Sequence, residues 1–159
     1  MLKILVIGET NTGKTSLVNR YVQNEFKEDV GPTIACEFAL KVQNIDGKSV
    51  RVQVWDIAGQ DRIGSISKLY CRDAVGAVVV CDCTKPATLK LAAEWKKQVD
   101  EHVQMPDKSP LPMLLLANKY DIREKAETPI TESMLQEAAS QGSFAGQYFT
   151  SAKHGHNVD

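Results

Sequence analysis

Several stretches of this sequence combine residue types suited to binding and cleaving a polyphosphate. The first is Gly8-Glu9-Thr10-Asn11-Thr12-Gly13-Lys14-Thr15, which fits G-x-x-x-x-G-K-[ST]. Its glycines let the backbone turn tightly, so that loop N–H groups face phosphate oxygens, and the helix start behind it adds partial positive charge. Lys14 is placed to reach the β- and γ-phosphates and Thr15 to ligate Mg²⁺. Thr10, Asn11, Thr12, Gly13 and Ser16 complete the expected cradle. Alone, this motif specifies a nucleoside triphosphate and no particular base.

The second stretch is Trp55-Asp56-Ile57-Ala58-Gly59-Gln60. An aspartate closing an apolar strand beside such a loop is placed to hold Mg²⁺ through water. Gly59 lacks a Cβ, so its N–H can come close to a γ-phosphate, and Gln60 can orient an attacking water. Further upstream, Pro32-Thr33 lies in a polar, irregular segment. A threonine there can give its hydroxyl to Mg²⁺ and its N–H to the γ-phosphate, so the segment orders with the triphosphate and loosens without it. Thr15, Thr33 and Asp56 are thus the expected metal set, and Gln60, Lys14 and Thr33 the expected catalytic set.

The third stretch is Asn118-Lys119-Tyr120-Asp121. The Asp121 carboxylate can accept from both the ring N1–H and the exocyclic amine of guanine, a donor pair that adenine lacks. A site built on such a pairing rejects the unmatched analogue by ~10⁴-fold or more. The Lys119 stem can lie along the base. In Thr150-Ser151-Ala152-Lys153, the Ala152 N–H is a candidate donor to guanine O6, with Ser151 and Lys153 beside it. Phe26 is read equally as a base contact or as a core residue at a helix end.

These groups need a scaffold that brings strand ends together. Leu2 to Ile7 is a short apolar run ending at Gly8, followed by a helix from Lys14 to Val22 with Leu17, Val18, Tyr21 and Val22 on one face. Two alternating runs, 37–45 and 49–56, flank Asp46-Gly47, a strong hairpin signal. The runs 75–81 and 112–117 are almost wholly apolar, as in parallel strands buried on both faces. Between them Ala92, Trp95, Val99 and Val103 recur at helical spacing, and Thr131 opens another helix. The pattern predicts an α/β fold of the P-loop NTPase kind over residues 1–159. Its sheet is six-stranded and mostly parallel with one antiparallel strand, and helices cover both faces. Ligands of such sheets sit outside the carboxyl ends of the strands, where all the motifs fall.

Composition agrees with one globular domain: 159 residues, 43% hydrophobic and 25% charged. The net charge of −1 provides no basic field for nucleic acid. Cys36, Cys71, Cys81 and Cys83 form no C-x-x-C pair, so neither zinc nor a disulfide framework is expected and a reducing cytosol is the default.

With its nucleotide motifs in order over the whole chain, the sequence resembles the Ras superfamily of small GTPases. Within it the sequence is similar to the Rab branch, through Trp-Asp-Ile-Ala-Gly-Gln-Asp-Arg at 55–62, Leu69 to Ala74, and Thr33 to Phe38. Leu-Leu-Leu-Ala-Asn-Lys, Glu-Trp-Lys and Thr-Lys-Pro-Ala-Thr look most similar to the Rabs of lysosome-related-organelle traffic. The resemblance implies GTP/GDP and Mg²⁺ as ligands and a switch in vesicle traffic. It also implies slow hydrolysis, near ~10⁻⁴ s⁻¹ without an activating protein.

Departures from the Rab pattern are Asn11 in place of glycine, Thr10 near the γ-phosphate, and Ala35, Cys36 and Glu37 in the switch. Thr10 and Asn11 support an alternative, a GTP-locked binding module with little hydrolysis. A metabolic P-loop kinase leaves Asn118 to Asp121 unexplained.

Alternation puts Trp55 with Arg51 and Gln53 on a polar face. The resemblance groups it with Phe38 and Tyr70 in a surface for effector, exchange factor and activating protein. Phe38 lines up with Leu40 and Val42 and is read equally as core. The resemblance also implies a long last helix after Lys153 and a prenylated tail on the cytosolic face of an endomembrane. His156-Asn157-Val158-Asp159 reads as the start of that helix, and the expectation is that a natural protein continues beyond it.

Overall fold

A computed structural model describes residues 1–33, 36–58 and 66–159, with Cys36 described in its backbone only. Strands β1 (Leu2–Gly8), β2 (Cys36–Ile45), β3 (Lys48–Ile57), β4 (Ala74–Asp82), β5 (Met113–Asn118) and β6 (Gly146–Phe149) form one sheet in the order β2-β3-β1-β4-β5-β6. Only β2 runs antiparallel to its neighbour. Its hairpin turn has positive φ at both central residues, 51° at Asp46 and 75° at Gly47. That is the primed turn whose twist matches the flanking strands, and Asp-Gly supplies it.

Alternation along β1 splits the interior in two. Leu5 and Ile7 enter one core with Val79, Leu115 and Trp95, while Val6 enters the other with Leu17, Val18 and Val54. The first core is covered by α4 (Ala92–His102) and α5 (Glu132–Gln141), which contribute Trp95, Val99, Leu135 and Ala139. The second is covered by α1 (Lys14–Gln23). Helices therefore flank both faces. Truncating a fully buried residue such as Leu5 costs about 2–5 kcal/mol. Helix ends are chemically marked: the Thr131 hydroxyl accepts from the N–H of Met134 at 3.2 Å, and α1 stops at Asn24, whose φ is 56°. Two short helices, α2 (Lys68–Cys71) and α3 (Pro86–Lys90), were not anticipated. At four and five residues they are too short to show a period.

Two expectations are corrected. Residues 156–159, read as a helix start, instead lie in a turn, with the Ser151 N–H donating to the His156 carbonyl at 3.1 Å and φ of 75° at Gly155. Left-handed φ at Gly155 and at Asn157 (54°) turns the backbone out of a right-handed helical path. The core reading of Phe38 is also overturned. Phe38, Leu40 and Val42 are all exposed, whereas the alternate residues Lys41 and Gln43 reach toward α1, bonding the Tyr21 carbonyl and the Tyr21 hydroxyl. The apolar side of this edge strand faces outward.

Candidate active site

The phosphate-loop motif forms the turn between β1 and α1. Gly8 has φ of 142°, and a Cβ there would stand 2.2 Å from the Val80 carbonyl oxygen, so only glycine fits against β4. Asn11 carries φ of 62°, the left-handed geometry that asparagine tolerates in place of the glycine usual in Rabs.

Glu9 is the node of this loop. Its carbonyl accepts from Lys14 Nζ at 2.8 Å and from Thr12 Oγ1 at 2.9 Å. Its carboxylate accepts from Trp95 Nε1 at 2.8 Å. Burial pulls the Lys14 ammonium down to about 8, against the opposing charges of Asp56 and Glu9.

The expected metal residues converge from three separate segments. Thr15 Oγ1 donates to Asp56 Oδ2 at 2.5 Å and lies 2.6 Å from Thr33 Oγ1. Asp56 Oδ1 is buried and has no partner among the described residues. Burial raises the Asp56 carboxyl, and the Thr15 hydrogen bond and Lys14 charge work against that rise. Two hydroxyls and an incompletely partnered carboxylate make an all-oxygen set suited to a hard cation such as Mg²⁺. When bound, Mg²⁺ neutralises charge on the polyphosphate.

Opposite the phosphate loop, Asn118 is fully buried and bridges three segments. Its Nδ2 donates to the Thr12 carbonyl at 3.0 Å, and its Oδ1 accepts from Thr150 Oγ1 at 3.2 Å and the Ala152 N–H at 3.3 Å. Lys119, at φ of 68°, spans from the Asn11 carbonyl (2.6 Å) to Asp82 Oδ2 (3.0 Å). Asp121 Oδ1 accepts from Ser151 Oγ at 2.8 Å. Lys153 pairs with Glu28 at 3.2 Å.

A cleft of about 630 Å³ opens between the two sides. Thr10, Asn11, Gly13, Lys14, Thr15 and Ser16 line one wall; Asn118, Lys119, Asp121, Ala152 and Lys153 line the other, with Phe26 and Thr33 between. Phe26 lines the cleft and also packs on the second core. Thr12, Asp56 and Ser151 stand behind the walls rather than in them. Gly59 and Gln60 lie outside the described residues. Sequence reasoning missed Asp82, Glu9 and Trp95. A buried indole needs an acceptor, and that demand was the available signal for the last two.

The aromatic cluster is also assembled. Phe38 stacks on Trp55 with centroids 5.4 Å apart, and Tyr70 lies 6.3 Å from Trp55. Lys3 Nζ sits 4.0 Å over the Trp55 ring. Trp55 is half-buried against the first core rather than standing free on a polar face, with Phe38, Tyr70 and Lys3 around its ring.

The family model described as Ras family matches residues 3–159. The chain belongs to the Ras family. Relatives of this Ras-family chain include the Ras-related protein Rab-32 of Homo sapiens, 41% identical over all of this chain and 70% of that protein. Rab-32A of Dictyostelium discoideum is 42% identical over all of this chain and 73% of its own length. Rab-7L1 of Rattus norvegicus is 39% identical over all of this chain and 77% of its own length. As a Rab-type member of the family, the chain is a GTP hydrolase that binds GTP or GDP and Mg²⁺, a small GTPase of membrane traffic. Among the described residues no helix is long and apolar enough to cross a membrane.

Proposed function

We propose that this chain is a Rab-type switch with slow intrinsic hydrolysis, in which named residues divide the work. Asp121 reads guanine, with Lys119 along the base and Ala152 and Ser151 beside it. Lys14 leaves the Glu9 carbonyl to balance phosphate charge. Thr15, Thr33 and Asp56 form the metal side, and Gln60 orients the attacking water. The Thr33 segment then orders or loosens with nucleotide state, and partners read that state next to Phe38, Trp55 and Tyr70. On this reading the chain is one nucleotide-binding domain acting at the cytosolic face of an endomembrane.

The observation that carries the reading is the meeting of Thr15, Thr33 and Asp56 within hydrogen-bond distance. They come from α1, the irregular segment before β2, and the end of β3. A pocket serving only to hold nucleotide has no need to recruit a threonine from the irregular segment before β2. Single-turnover hydrolysis of GTP, with ATP as competitor, tests it. Turnover on the ~10⁻⁴ s⁻¹ scale without inhibition by ATP supports the switch. No measurable turnover moves the assignment to the GTP-locked module, for which the exposed, β-branched Thr10 on the cleft wall is the support.

A further inference from the structure

Glu9 is an anion built into an anion-binding loop. Its neighbours Thr10, Asn11 and Gly13 line the cleft, but Glu9 does not. Its carboxylate instead turns to α4 and accepts from Trp95 Nε1 at 2.8 Å. Trp95 is 1% exposed and sits in the larger core, with Tyr70 packed against the same cluster. Its indole N–H is its one polar group, and burial obliges that group to find an acceptor. The pairing joins residues 86 apart in sequence and rests on a helix rather than a loop. It also fixes the residue whose carbonyl collects Lys14 and Thr12.

We propose that Glu9 and Trp95 are a positioning pair: the indole holds the carboxylate on the core side of the loop, away from incoming phosphate, and fixes the carbonyl on which Lys14 and Thr12 converge. This rests on reading Gly8 to Thr15 as the phosphate loop. Without the indole N–H, the carboxylate is released to the cleft side and repels phosphate. The defect is therefore electrostatic and is removed by removing the charge. A residue that only filled the core would not behave this way.

The test uses the whole chain and a fluorescent GDP analogue. Trp95→Phe keeps an aromatic ring and loses the donor; it is expected to weaken nucleotide binding about tenfold, more at low salt than at high. Glu9→Gln added to Trp95→Phe is expected to restore affinity to within about twofold of the parent. Parent-like affinity in Trp95→Phe, or a double variant as weak as the single, overturns the pair. Should Trp95→Phe fail to fold, the ¹⁵N-indole resonance of Trp95 decides. It must move on Glu9→Gln and again on adding GDP, and a fixed resonance overturns the proposal. If Lys14→Ala binds as tightly as the parent, the phosphate-loop reading has failed instead.

Discussion

Asn118 Nδ2 donates to the carbonyl of Thr12 at 3.0 Å, tying the end of β5 to the turn between β1 and α1. Gly13 permits this approach, since a Cβ on it would fall 2.3 Å from the same nitrogen. Asn118→Ala leaves the Thr12 carbonyl, the Thr150 hydroxyl and the Ala152 N–H without that partner. At about 1–3 kcal/mol for each polar group left unsatisfied in the interior, the melting temperature is expected to fall by several degrees. Nucleotide affinity should drop with it. Differential scanning calorimetry with and without GDP measures both.

Asp121→Asn puts an amide donor where a carboxylate accepts. GTP binding is expected to weaken by about a hundredfold or more, with preference shifting to xanthine nucleotides, whose base offers the complementary acceptor. Competition titration of GTP against xanthosine triphosphate checks it. Unchanged guanine binding would remove Asp121 from the base site.

Metal dependence should pass through Asp56. In the parent, chelation of Mg²⁺ is expected to speed GDP release by about tenfold or more. Asp56→Ala should release GDP fast from the start and respond little to chelator. Stopped-flow release with and without EDTA distinguishes them, and a full chelator response in the variant would move the metal elsewhere.

Lys14 gives a pH signature. Burial holds its folded value at about 8, below the 10.5 of an exposed lysine. Between those values the unfolded chain binds more protons, so this lysine makes the nucleotide-free protein more stable as pH rises from 8 to 10.5, by about 3 kcal/mol in all. Buried Cys83 and Cys81, pushed up to about 11 and about 12, act in the opposite sense above pH 9. The lysine contribution is therefore read as the difference between parent and Lys14→Met in urea melts across this range. GTP affinity in the parent should fall above pH 8, as the ammonium that phosphate needs is lost.

Trp55→Ala is expected to abolish capture of a GTP-dependent partner while leaving nucleotide affinity within about twofold. Loss of a half-buried ring that supports Phe38 and Tyr70 should cost about 2 kcal/mol. Pull-down of partners by the GTP-loaded chain, beside a nucleotide titration, separates the two effects.

The parts legible in the sequence were those fixed by short-range rules. Asp46-Gly47 announced a hairpin because few residues accept positive φ in succession, and Gly8 to Thr15 announced a loop because its glycines and lysine lie within eight residues. The apolar runs of β4 and β5 read directly as strands buried on both faces. Pairings across long separations left no such trace. The Trp95–Glu9 contact depends on which helix packs over the end of β1, and the Lys119–Asp82 contact on which strand ends become neighbours; no flanking sequence encodes either partner. Phe38, Leu40 and Val42 stayed undecided for a different reason. Alternation reports that a strand has an apolar side, but not which side the rest of the fold covers.

The strand order has a consequence for how the chain is made. β1 lies in the middle of the sheet, between β3 and β4, although it is the first strand of that sheet to be synthesised. Leu5 is in register with Trp55 on one side and Ala77 on the other. At ~5–20 residues per second on the ribosome, the first of those partners follows about 3–10 seconds behind. During that wait the most apolar strand of the amino-terminal half has no ladder to join. The β2–β3 hairpin is the one strand pairing that can close locally within microseconds. The nascent chain is expected to complete its edge before its centre, so that substitutions in the hairpin turn change folding yield more than they change final stability.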